Sequence, residues 1–177
     1  MARVDQELRA VLLTRDAQEL PSLEVLRGQT IALPPRLASV SYLMAVALIE
    51  AGLRPDIDVP LRHYQTKVSC LHAVAAGDAA ACEVPSFMLG QLDAMEKMQL
   101  HPVWRSFPVS SLLFAAHPRV PAAKRDELAR RLIGWRDNER GRAVLAAFGW
   151  PGLVPAVDAD FADVRALSGR LRTYASR

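Results

Sequence analysis

Aromatic residues, cysteine and an excess of charge are what this chain has least of. Phe, Trp and Tyr together make up 6% of its 177 residues. Its interior must therefore be built largely from Ala, Leu and Val, a filling common where helices pack on a sheet. The 22 basic and 19 acidic residues leave a formal charge of +3, too balanced for a protein that holds nucleic acid by charge alone. Cys70 and Cys82 are the only cysteines and show no metal-ligand spacing. Each stands in an Ala/Val/Leu setting and is expected as a small buried core residue. One bridge between them is open in an oxidising compartment, but spacing alone does not set their distance. No apolar run reaches membrane-spanning length, and the helix-like stretch 39–53 ends in Glu50-Ala51-Gly52-Leu53. The polar start, Met1 to Glu7, leads into no stretch of signal-peptide character. The chain as written is expected to carry neither export signal nor anchor.

What is present suits a single α/β domain over residues 1–177. Hydrophobic residues make up 51% and charged ones 23%, ordinary for a globular protein. A chain of this length buries a core without metal or disulfide. Short apolar runs alternate with longer helical patterns, which predicts a mostly parallel sheet flanked by crossover helices. Strands are expected at 10–13, 30–33, 61–64, 79–84, 103–105 and 112–116. A short helical turn is expected at 20–26, and longer helices at 39–51, 67–76, 86–98, 121–135, 138–148 and 162–174. Ser39 reads as a helix cap, Gly52 and Gly77 as helix stops, and Pro121 as a first-turn proline.

Catalytic patterns are missing from the polar residues. His63, His72, His101 and His117 share no metal spacing and no nucleophile motif. Ser110 and Ser111 lack a Gly-x-Ser-x-Gly frame, and neither a phosphate loop nor a dinucleotide fingerprint occurs. No catalytic residue, metal or cofactor is expected. Lys124, Arg125, Arg130, Arg131, Arg136, Arg140 and Arg142 alternate with Asp126, Glu127, Asp137 and Glu139, which reads as a solvated helix face.

Five stretches carry a family likeness by their order and spacing. They are Leu23-Glu24-Val25-Leu26-Arg27-Gly28-Gln29-Thr30-Ile31-Ala32; the serine-containing turn before Tyr42, whose helix ends Glu50-Ala51-Gly52-Leu53; Ala73-Val74-Ala75-Ala76-Gly77-Asp78-Ala79-Ala80-Ala81; Leu113-Phe114-Ala115-Ala116-His117-Pro118-Arg119-Val120-Pro121; and Gly141-Arg142-Ala143-Val144-Leu145-Ala146-Ala147-Phe148-Gly149-Trp150, followed by Asp158-Ala159-Asp160-Phe161. Across about residues 8–171 the chain resembles the phosphate/phosphonate-type (PhnD-like) substrate-binding proteins of ABC importers. The resemblance implies a periplasmic-binding-protein type II-like lobe: the second of two lobes around a ligand cleft, plus the returning carboxy-terminal helices, with most of the first lobe missing. It also implies a periplasmic home, an ABC permease as partner, and self-association through the face of the missing lobe.

Three places suit a small anionic ligand. The turn Ala38-Ser39-Val40-Ser41-Tyr42 opens a helix, where free amides and the helix dipole favour an anion. The family has Ser-Thr-Ser-Gly here, so Ser39, Ser41 and Tyr42 become candidate contacts. Gln65-Thr66-Lys67 opens the next helix, where the family has Gly-Ser-His. Thr66 keeps a hydroxyl, and Lys67 supplies a point charge suited to an oxyanion. At Glu83-Val84-Pro85-Ser86 the family's amine-pairing Asp is replaced by Pro85, and strand alternation puts Glu83 on the same face. The expected function is a solute-binding module for phosphate, phosphonate or a related oxyanion. An effector-sensing domain of a regulator and a small biosynthetic enzyme on the same fold are the alternatives.

Overall fold

The apolar run at 10–13 forms the fully buried strand Ala10–Thr14, the second strand from one end of a five-stranded sheet. The computed structural model describes residues 1–91 and 98–175. Its strands are β1 (Ala2–Val4), β2 (Glu7–Leu8), β3 (Ala10–Thr14), β4 (Ile31–Leu33), β5 (Leu61–His63), β6 (Ala81–Pro85), β7 (His101–Arg105), β8 (Val109–Ser110), β9 (Leu113–Phe114) and β10 (Leu153–Pro155). Its helices are α1 (Ser39–Glu50), α2 (Lys67–Ala76), α3 (Ala122–Ile133), α4 (Glu139–Phe148) and α5 (Ala162–Ala175). They fall into two units, Met1–Leu8 with Val109–Arg165, and Arg9–Pro108 with Ala166–Arg177.

The second unit is a sheet of order β5-β4-β6-β3-β7 between two helices. β4 runs parallel to β5 and β6, whereas β3 is antiparallel to both β6 and β7. The α/β class stands, but the sheet is mixed rather than mostly parallel. An apolar run such as Ala10-Val11-Leu12-Leu13 signals burial on both faces and carries no sign of direction. Pro102 is tolerated because β7 is an edge strand.

Strand alternation sorts the unit's core into two faces. Leu12, Ile31, Leu33 and Ala81 pack with Met44, Ala47 and Leu48 of α1. Val11, Leu13, Ala32, Cys82 and Val84 pack with Cys70, Leu71 and Val74 of α2. Cys70 and Cys82 are both fully buried, as expected, but they are not separate thiols. They form a disulfide between α2 and β6, their Cα atoms 5.6 Å apart. α2 lies across the face to which Cys82 points, a juxtaposition set by the crossover and not by the spacing of the cysteines. α2 ends where expected, on Gly77 at φ 86°, a left-handed conformation that glycine takes without strain. The helix expected over 86–98 begins as a 3-10 helix, Ser86–Gln91; residues 92–97 of that stretch lie outside the described residues.

The first unit holds the antiparallel sheet β10-β1-β9 and the pair β2-β8. Val4, Leu145 and Leu153 form its buried centre, with Phe114, Leu132, Trp135 and Trp150 packed on it. Asn138 caps α4 by accepting from the Gly141 amide at 2.8 Å. A Cβ on Gly141 would lie 2.2 Å from the Trp135 carbonyl oxygen, so no side chain fits there.

Candidate functional site

Because β4, β5 and β6 run parallel, their carboxy-terminal ends share one edge of the sheet. α1 begins after β4 and α2 after β5, so both helix starts lie at that edge, and β6 delivers Pro85 and Ser86 to it. In open α/β sheets this is the edge at which ligands bind.

The two starts are built differently. Ala38, in extended conformation, precedes α1, and no side chain caps the helix. Ser39, expected as the cap, is instead the first helical residue, and it is exposed. Among the described residues the amides of Ser39 and Val40 meet no acceptor, which leaves the positive end of a 12-residue helix open. α2, by contrast, is capped from within. Thr66 Oγ1 accepts from the Ser69 amide at 3.1 Å and pairs with Ser69 Oγ at 2.7 Å. Lys67 is the first residue of α2; its side chain lies outside what the structure describes.

Two of the residues expected at the ligand are interior. Ser41 is buried, and its hydroxyl is directed at the Pro34 and Pro35 carbonyls, 3.4 and 3.3 Å away. It fastens the loop between β4 and α1. Glu83 is fully buried, and neither of its oxygens has a hydrogen-bond partner. Burial without a partner pushes its carboxyl well above the usual range, so the group is held neutral. Alternation did put Glu83 on the face of Pro85, but that face is covered by α1 at this point. Ser39, Thr66 and the half-exposed Tyr42 remain at the surface of the edge.

The structure adds His63, which sequence reading considered only against metal and catalytic patterns. It ends β5 beside Leu33, and its Nδ1 lies 2.7 Å from the Pro34 carbonyl oxygen. Pro34 thus joins β5 to the first turn of α1 through His63 and Ser41. The signal available in the sequence was position alone: a polar residue at the carboxy-terminal end of a strand.

Residues 1–161 match the family described as "ABC transporter, phosphonate, periplasmic substrate-binding protein". The chain belongs to that family. Its members are periplasmic substrate-binding components of ABC transporters, and the family is not one of enzymes. No curated protein matches the chain in sequence. Among solved structures, PhnD1 from Prochlorococcus marinus in complex with methylphosphonate is similar at TM-score 0.83 and 12% identity, covering 97% of this chain and 70% of that one. XAC2383 from Xanthomonas citri, bound to ATP, gives TM-score 0.77 and 16% identity over 99% of this chain and 71% of that one. The binding component of an ABC phosphonate transporter from Pseudomonas aeruginosa gives 0.77 and 16%, over 99% of this chain and 63% of that one. At such identities the likeness establishes the fold. For this phosphonate-binding family chain a solute-binding role and an ABC permease partnership follow from membership. No described helix is long and apolar enough to cross a membrane.

Proposed function

We propose that the chain binds phosphate or a simple phosphonate at the edge of the second unit where α1 and α2 begin. The observation that carries this reading is the uncapped start of α1, with the Ser39 and Val40 amides and the exposed Ser39 hydroxyl unclaimed. Thr66, Lys67 and Tyr42 complete the proposed set. The ligands named for two of the similar structures, methylphosphonate and ATP, share a phosphorus oxyanion, which supports the same chemistry here. We place the chain in the periplasm, in keeping with its family and with the Cys70–Cys82 bridge, since disulfides persist in oxidising compartments.

Ligand preference follows from the residues around Pro85. The proline offers no carboxylate, and Glu83 is buried and neutral, so nothing on β6 pairs with an amine. Titration with phosphate, phosphite, methylphosphonate and 2-aminoethylphosphonate, followed by amide NMR, is expected to favour the simple oxyanions. Because the donors stand on an exposed edge where water competes, affinity should lie on the millimolar scale, about −4 kcal/mol. Lys67→Ala should cost about 1.5–3 kcal/mol of binding, the worth of one hydrogen bond to a charged group. A clear preference for the aminated ligand, or equal binding by wild type and Lys67→Ala, would reject these assignments.

A further inference from the structure

We propose that His63 is a further ligand contact at this site and that it selects a protonatable tetrahedral oxyanion over sulfate. The inference rests on the oxyanion reading above.

The argument begins with side-chain direction. Leu61 and His63 are two residues apart on β5 and so point to the same face of the sheet. Leu61 packs against the core under α1, so the His63 ring lies on the α1 side, at the end of the sheet where that helix starts. Its Nδ1 is 2.7 Å from the Pro34 carbonyl oxygen, on which the Ser41 hydroxyl also converges. A carbonyl only accepts, so Nδ1 carries the hydrogen, and this bond fixes the tautomer. The ring is half-buried, and Nε2 has no partner among the described residues. It is held on a short tether to Pro34, at the edge of the sheet where α1 starts.

With Nδ1 committed, a contact from Nε2 to an oxyanion oxygen needs one additional proton. Either the imidazolium supplies it as Nε2–H, or the ligand supplies it as a P–OH that donates to bare Nε2. Phosphate and phosphonates offer both routes. Sulfate, which carries no proton near neutral pH, offers only the first. The charged groups borne by the surrounding elements are Arg62, next to His63 on β5 and directed to the opposite face of the sheet, Arg36 in the β4–α1 loop, ion-paired with Asp56 at 3.9 Å, Lys67 at the start of α2, and the buried Glu83 on the same face of β6. A single selective hydrogen bond of this kind corresponds to about a tenfold preference.

The test compares inorganic phosphate with sulfate at pH 7, read from the amides of α1 and the ring nitrogens of His63 by NMR. Wild type should prefer phosphate about tenfold, with the His63 Nε2 signal moving as phosphate is added. His63→Asn places an amide where Nδ1 was, so the Pro34 bond survives while Nε2 is lost. This variant should bind sulfate nearly as before and lose the preference for phosphate. If the α1 amides respond but the wild-type ring signal stays still, or the preference survives His63→Asn, the His63 assignment is overturned and the oxyanion reading stands. If neither anion moves the α1 amides, both are overturned. The wild-type ring signal decides even should the variant fail to fold.

Discussion

Replacing Cys70 and Cys82 together by alanine is expected to lower the unfolding free energy by about 3 kcal/mol. The two cysteines are 12 residues apart in sequence, and a cross-link closing a loop of that order removes about that much chain entropy from the unfolded state. Both sulfurs are fully buried between α2 and β6, so reductant should act on the unfolded chain and leave the folded one largely intact. Denaturant unfolding with and without reductant measures the effect. The wild type should lose most of the difference in reductant, and the double alanine variant should be indifferent to it. Coincident curves for wild type with and without reductant would show that the bridge is absent or contributes nothing.

Glu83→Leu is expected to stabilise the protein by about 1–3 kcal/mol near neutral pH, because it removes a buried carboxyl that no donor meets. The pH dependence has a definite sign. Burial raises the native carboxyl above its unfolded range, so the folded state holds the proton more tightly. The stability linked to this proton is fully present below the ordinary carboxyl range. It falls by about 1.4 kcal/mol per pH unit as pH rises towards the native value. Asp58 works in the opposite sense. The Arg54 side chain, bonded to it at 2.9 Å, holds its carboxyl far below the usual range, with the Arg54 amide and Arg27 helping. Its contribution is present above the ordinary carboxyl range and is lost on acidification. Chemical denaturation from pH 4 to 8 should therefore show wild type weakening at the alkaline end and Glu83→Leu much less so. Parallel pH profiles for the two proteins would contradict this account of Glu83.

The sequence announced most of the second unit because its signals are local. β4, α1, β5 and α2 each lie between a polar or proline stop and a glycine or capping residue, and α2 runs over Lys67–Ala76 as read. Strand direction was not legible, since β3 shows the same apolar run whichever way it points. The strands β1, β2, β8 and β10 escaped notice because they are two or three residues long. Their partners are far away in the chain, as in Ala2 with Pro155, so no window of sequence holds the pattern. At the candidate site, helix starts were readable and side-chain fates were not. Ser39 and Thr66 reached the surface, while Ser41 turned to the Pro34 and Pro35 carbonyls and Glu83 went under α1. The Cys70–Cys82 pairing and the His63–Pro34 bond depend on how crossovers bring elements together, which residue spacing does not record.

The central claim, that a tetrahedral oxyanion binds at the open start of α1, is tested most directly by crystals grown with tungstate, whose anomalous scattering locates the anion without reference to the protein. The account predicts a peak within hydrogen-bond distance of the Ser39 and Val40 amides, displaced when phosphate is added in excess. A well-occupied peak elsewhere on the chain, with the start of α1 left to solvent, would contradict it.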